Sequence, residues 1–393
     1  MFQKLVNHND DIRRLVEKGY AVAFDSNYLV IRDIPYLDDQ NKLQMGAIVS
    51  KLIFINEVRV VQDDHQIFFA GHFPHNIDRT PIRNLAGGPT QLPLSEAAAD
   101  VVVQRSFSNK PRDTGKFKDL FEKIESYVAI ISGPAIELYD VSPYTFRIVD
   151  EVSDSVFNFH DTLTSRAEIT DLAAKFSNDV VAVIGLGGTG AYVLDFLIKT
   201  PVREVRAFDF DKFHVHNAFR SPGRVDSSEF DKPKAEVYSS RYDNFRKGLS
   251  LLPKFIDASS AEDFDGVTFA FVCVDKGSSR AGIFDLLLSK GIPFIDVGMG
   301  LNRKHGSLNG MIRATYYSNE NGRRVRDKGL AELIDSPNDI YRNNIQISEL
   351  NALNASLAVI KFKQLRGFYY EEIPEYHLLF DIGDCRTVGE SEI

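Results

Sequence analysis

The chain has 393 residues, 55 acidic against 46 basic, and a formal net charge of −9. At roughly 100–200 residues per domain this length predicts two domains or three, and the acidic balance argues against a chain built mainly to grip nucleic acid. Two cysteines exclude a disulfide framework and a four-cysteine zinc site, and with no apolar run near the ~18–20 residues of a membrane span and no signal-peptide pattern at the start, a cytoplasmic protein is expected.

Taken in chain order, residues 1–157 read as an α+β domain. Asp10–Lys18 fits a short helix. Tyr28–Ile34, Ala47–Ile55 and Ile67–Ala70 are rich in apolar and aromatic residues and read as strands. Gly87-Gly88-Pro89 reads as loop punctuation, and Phe117–Ser132 as a helix. His72-Phe73-Pro74-His75, with His65 upstream, lacks an accompanying cysteine or fourth ligand and reads as loop histidines.

The rhythm changes within 150–165, and residues 158–393 read as a second domain. Val180–Ile184 and Glu204–Phe208 are strands; Gly188–Lys199 and Lys234–Lys247 are helical stretches. Thr268–Val274 is a nearly continuous apolar strand, followed by a helix to Lys290 and a strand at Phe294–Val297. Asn351–Leu365 is an apolar late helix. Short buried strands alternating with helices predict a Rossmann-like α/β domain on a mostly parallel sheet.

Gly185-Leu186-Gly187-Gly188-Thr189-Gly190 follows the first of those strands and opens a helix. Such a turn brings backbone N–H groups against a phosphate, and the helix N-terminus favours the anion. Asp209, 19 residues after Gly190, ends the next strand and can bind ribose hydroxyls. On this loop alone an NAD(P)-dependent oxidoreductase and a non-catalytic nucleotide-binding module both stand as readings.

Further polar residues follow at fixed intervals. Asp209-Phe210-Asp211 leads to Asn217 and Arg220, then to Asp231-Lys232-Pro233-Lys234, then to Cys273-Val274-Asp275 and Ser279-Arg280. This pattern, from about Thr164 to Gly300, resembles the ThiF-type ubiquitin-activating family of adenylyltransferases. The resemblance implies ATP and Mg²⁺ as cofactors and a ubiquitin-like protein whose C-terminal glycine is adenylated. It also implies a ribose contact at Asp209 beside Asp211, a triphosphate lined by Asn217, Arg220 and Lys234, and Mg²⁺ held by Asp275. Arg166, in Ser165-Arg166-Ala167-Glu168-Ile169, resembles an arginine that the family sends into the partner subunit's site, which implies a homodimer. Taken singly, Arg220 fits a surface ion pair, Lys234 a solvated helix position and Asp275 a helix cap.

The chain departs from the family in two ways. It has no pairs of zinc-binding cysteines, and the segment of roughly Thr315 to Asn344 has no cysteine. Cys273 sits in an apolar strand, so Cys385 is the candidate nucleophile. The alternatives are a hydroxyl such as Ser318 or Ser336, or direct passage of the adenylate to a partner. His214 and His216 are expected to border the nucleotide pocket without holding metal. Arg323-Arg324-Val325-Arg326 reads as a solvated basic stretch or a contact for an acidic partner. The tracts Ala191–Phe196 and Asn344–Asn351 are similar to a bacterial subgroup that carries an uncharacterised N-terminal domain. That likeness implies a conjugating-enzyme-like partner and a phage-defence setting. Residues 1–157 carry no catalytic constellation and are expected to recognise the carrier or a conjugating partner.

Overall fold

The computed structural model describes residues 2–149, 155–159, 161, 163–164, 167, 169–335 and 345–391. The chain forms two compact units, one of Met1–Asp154 with Asn158–Glu168, the other of Ser155–Phe157 with Ile169–Ile393. Ser155–Phe157, assigned to the first domain on sequence, pack with the second. The Val156 carbonyl accepts from the Lys247 N–H at 2.7 Å, and the Phe157 ring meets Phe245 edge-on at 5.7 Å.

The first unit is an antiparallel sheet with helices on one face. Its strands are β1 (Ala21–Asp25), β2 (Tyr28–Leu37), β3 (Leu43–Phe54), β4 (Val60–Gln62), β5 (Gln66–Ala70), β6 (Ala86–Pro89) and β7 (Arg105–Ser108). They lie in the order β1-β2-β3-β5-β7-β6, with β4 paired to β3. The helix Asp10–Lys18 buries Ile12, Leu15 and Val16 and stops at Gly19, whose φ is 104°. The long helix runs Leu120–Tyr139, three residues later in its start than expected, because the Asp119 carboxylate accepts from Glu122 N–H and caps it there. Its Ile124, Tyr127 and Ile131 pack with Leu15, Ile31, Ile48, Phe69 and Phe107 as the core. Residues 87–89, expected as loop, pair with β7 as strand β6. That strand is the outermost of the sheet, where a proline costs no ladder bond.

The second unit has one sheet of eight strands. They are β8 (Val180–Ile184), β9 (Glu204–Phe208), β10 (Leu249–Leu252), β11 (Phe269–Val272), β12 (Phe294–Lys304), β13 (Ser307–Tyr317), β14 (His377–Asp381) and β15 (Arg386–Glu390). The order is β10-β9-β8-β11-β12-β13-β14-β15. The first five are parallel and the rest antiparallel.

Alternate residues of the parallel strands point to opposite faces, and both faces are covered. Val181, Val183, Phe269, Phe271, Ile295 and Val297 pack with the helices Gly188–Ile198 and Ser348–Leu365. Val180, Ala182, Ile184, Ala270 and Val272 pack with the helix Gly277–Ser289. This two-sided burial is why the strands read as continuous apolar runs. The chain leaves β8 for β9 on one side and later fills β11 on the other. The reversal opens a crevice above the carboxyl end of β8, where ligands bind in sheets of this class. Among the described residues no helix is long and apolar enough to cross a membrane.

Candidate functional site

The crevice over β8 is a cleft of about 520 Å³. Its near wall is the glycine turn. Gly185 has φ +93°, and a Cβ there would stand 2.8 Å from the Cys273 carbonyl oxygen. At Gly190 a Cβ would fall 1.9 Å from the Gly185 oxygen, so the helix meets the turn only without a side chain. Gly187 is different: nothing lies within 4 Å of where its Cβ would be. Its bareness serves the cleft. The helix that starts at Gly188 has no side-chain cap, which leaves its first N–H groups for an anion. Thr189 Oγ1 donates to Asn351 Oδ1 at 2.9 Å and ties the turn to the late helix.

Asp209 and Asp211 share the rim of β9 but not an environment. Asp209 is buried, and its carboxylate accepts from the N–H groups of Leu186 (2.6 Å) and Asp211 (2.8 Å) and from Lys234 Nζ (3.3 Å). Burial raises its pKa, against the pull of Lys234 and of those two N–H donors. The Asp211 side chain is 55% exposed and meets Lys234 at 3.0 Å. Asp209 therefore holds the turn, and Asp211 is the carboxylate open to a ligand.

Lys234 comes from the start of its helix, is buried, and lines the cleft. Arg220 lines it too, and its Nε is buried with no hydrogen-bond partner among the described residues. Burial lowers the Arg220 pKa, while the nearby Asp275 carboxylate raises it. A half-buried guanidinium with an idle donor suits a phosphate oxygen. Asp275 itself is exposed in the cleft just past β11. Lys254, Lys276, Arg280 and Arg313 add positive charge, so six basic residues face the four acidic ones Asp209, Asp211, Asp275 and Glu332. Lys254 is paired with Asp263, and Arg280 and Arg313 share the buried Asp296, so Arg220, with its idle donor, is the cation best placed to meet an anion.

Of the residues picked from sequence, Gly185, Gly187, Gly188, Asp209, Asp211, Arg220, Lys234 and Asp275 line this one cleft. Gly190 shapes the turn behind it. Asn217 does not line it: it is buried, and its Oδ1 accepts from His214 N–H at 2.8 Å as a helix cap. His214 and His216 do not line it either; His214 Nδ1 lies 3.3 Å from Asp231. Arg166 and Ser336 lie outside the described residues. Cys385 sits exposed in the turn between β14 and β15, with φ 51°. The thiol of Cys273 is held protonated by burial. Ser318 Oγ accepts from Asn321 N–H at 2.9 Å.

No group of three or more potential metal ligands occurs among the described residues. His75 Nδ1 is 2.8 Å from the Phe73 oxygen and His65 Nε2 is 2.9 Å from Ser108 Oγ. A lone carboxylate such as Asp275 is what Mg²⁺ uses when phosphates and water complete its shell. Sequence reasoning missed Asp296, Arg313 and Asn354, which no linear motif announces. Phe210 and Phe255 were also missed; they line the cleft and meet edge-on at 5.2 Å.

Residues 144–318 match the family model "ThiF family". Residues 10–162 match "Domain of unknown function (DUF6791)". The chain is 24% identical over 179 residues to ubiquitin-like modifier-activating enzyme 5 of Drosophila virilis, covering 41% of this chain and 44% of that protein. The Drosophila ananassae protein of the same name matches to the same extent. The chain thus spans less than half the length of the curated relatives it matches. Among solved structures, E. coli MccB with ATP aligns at 14% identity and a TM-score of 0.44, over 59% of this chain and 72% of that one. PaaA aligns at 16% identity and a TM-score of 0.43, over 57% and 76%.

Proposed function

We propose that the chain is an ATP-dependent adenylyltransferase that activates the C-terminal carboxylate of a ubiquitin-like protein and passes it to a conjugating partner. The observation that carries this is the meeting, in one cleft, of the glycine turn, Asp211, Arg220, Lys234 and Asp275. The ThiF family domain and the resemblance to ubiquitin-like modifier-activating enzyme 5 support it.

Acyl adenylation brings a carboxylate against the α-phosphate and expels pyrophosphate, so two anions must approach. Gly187 and the helix N-terminus receive phosphate oxygens. Arg220 and Lys234 neutralise them, and Asp211 takes the ribose hydroxyls. Asp275 would hold Mg²⁺, which supplies charge neutralisation on the phosphates. In this reading the enzyme is a homodimer and Arg166 completes the partner's site. In the same reading the adenylate passes directly to the partner; that Cys385 does not line the cleft supports this route. The first unit recognises the carrier or its conjugating partner.

The test is exchange of labelled pyrophosphate into ATP by the full chain with its carrier and Mg²⁺. Asp275→Ala is expected to lower exchange by about 100-fold or more. Tight NADH binding without ATP binding would overturn the proposal.

A further inference from the structure

The half of the cleft away from the glycine turn is built on β12 and β13. β12 pairs with β11 only through Phe294–Asp296, yet runs on to Lys304. From Val297 onward its β11-side edge has no strand beside it among the described residues. Gly298, Met299 and Gly300 line the cleft along this edge, and a Cβ at Gly300 would meet nothing within 4 Å. A bare strand edge floored by glycines fits an extended peptide. Asn354 Nδ2 donates to the Gly298 oxygen at 3.0 Å. Asn354 Oδ1 and Gln346 Oε1 are buried acceptors with no partner among the described residues, and both residues line the cleft. Peptide N–H groups would satisfy them.

The charge in this half is unusual. Arg313 stands opposite Gly298 on β13 and lines the cleft. Its guanidinium reaches over β12 to Asp296 Oδ2 and also donates to Thr315 Oγ1 at 2.9 Å. That reach depends on Gly298, whose Cβ would lie 2.8 Å from an Arg313 nitrogen. Asp296 is 0% exposed and accepts from Arg280 Nε at 3.0 Å as well. One buried carboxylate therefore faces two guanidiniums. Arg280 turns its other nitrogens to the Glu332 and Val274 carbonyl oxygens. The two guanidiniums together carry one positive charge more than Asp296 offsets, and of the two it is Arg313, on the β12–β13 side of the cleft, that presents this excess to the half floored by Gly298 and Gly300, where it favours an anion.

Resting on the adenylation reading above, we propose that Arg313 is a specificity-determining residue: it selects a substrate tail that bears a carboxylate side chain within a few residues of its C-terminus. The position follows from register. Asp296 is level with Val272, so Gly298 is level with Val274, next to Asp275. At about 3.3 Å per extended residue, the tail residue that meets Arg313 lies close behind the reacting terminus.

The experiment uses the full-length protein with ATP, Mg²⁺ and labelled pyrophosphate. The probes are synthetic octapeptides ending in Gly-Gly with a free carboxylate. Each carries Asp, Asn or Lys at the third, fourth or fifth residue from the end. At one of these positions Asp should raise exchange about tenfold over Asn, with Lys below both. Arg313→Gln should bring the Asp-to-Asn ratio to about one, and Arg313→Glu should favour Lys. Exchange by the unaltered protein that is indifferent to Asp, Asn and Lys overturns the role of Arg313 and leaves adenylation standing. No exchange with any peptide, with ATP still bound, overturns the peptide tail as well. Because the unaltered protein alone decides the first comparison, a misfolded Arg313 variant does not protect the proposal.

Discussion

Asp209 and Asp211 are separated by one residue and do different work. Asp209 spends its carboxylate on two backbone N–H groups and on Lys234, while Asp211 keeps its side chain half in solvent. Asp211→Asn is therefore expected to weaken ATP binding about tenfold and to shift stability by less than about 0.5 kcal/mol. Asp209→Asn removes one of the two carboxylates that face the buried Lys234 and weakens the acceptor that holds the Leu186 and Asp211 N–H groups, and should cost on the order of 2–3 kcal/mol of stability. Calorimetric ATP titration beside denaturant unfolding separates the two, and equal loss of stability in both variants would refute the division. The spacing of these aspartates was legible in the sequence, but their division of labour was not. It depends on where β9 ends and which carboxylate the glycine turn folds over. Asn217 is a similar case. Its position matches the motif, yet its side-chain oxygen is spent on a helix cap.

At the scale of elements, the helix expected to reach Lys247 ends at Tyr242, and the residues after it place Arg246 inside the unit. Arg246 donates to the carbonyl oxygens of Leu197, Thr200 and Val202, gathering the end of the Gly188–Ile198 helix and the turn into β9. Burial pushes its pKa down to about 10. Arg246→Met would orphan those carbonyls, with an expected loss of about 2–4 kcal/mol in guanidinium unfolding; a loss under ~1 kcal/mol would show that water replaces the side chain. The parallel strands were readable because two-sided burial writes β-branched and aromatic runs into the sequence: β8 and β9 have the bounds their residues suggest. The β13–β15 strands were not read. β13 is buried only toward its C-terminal end, β14 is mostly half-buried and β15 mostly exposed, so no clean period marks them, and their pairing is set by partners far along the chain, as in Arg313 opposite Leu379. The open edge of β12 has another origin: β11 ends at Val272 while β12, extended to pair with β13, runs on to Lys304.

At the scale of the molecule, each unit owns a core. Leu15, Phe69 and Tyr127 belong to one in the first unit, and Val183, Leu194 and Phe271 to one in the second. The glycine turn, Asp211, Arg220, Lys234 and Asp275 all lie in the second unit, so the proposed nucleotide site draws its described residues from that unit. A flexible peptide tail offers few side chains for recognition, and specificity for a folded carrier requires surface beyond the chemistry. The first unit carries no cluster of potential metal ligands among its described residues and has ample area for such contacts. A fragment of residues 155–393 should therefore bind ATP as the full chain does. The cut falls at 155 and not later because Val156 and Phe157 pack against Lys247 and Phe245, beside the buried Arg246. With the carrier present, the fragment is expected to lose tenfold or more in carrier-dependent exchange, through a raised apparent KM at little changed kcat, since the lost contacts serve binding and not the reacting atoms. Exchange at the full rate with an unchanged KM would remove carrier recognition from the first unit and leave it the conjugating partner, read out as onward transfer by fragment and full chain side by side.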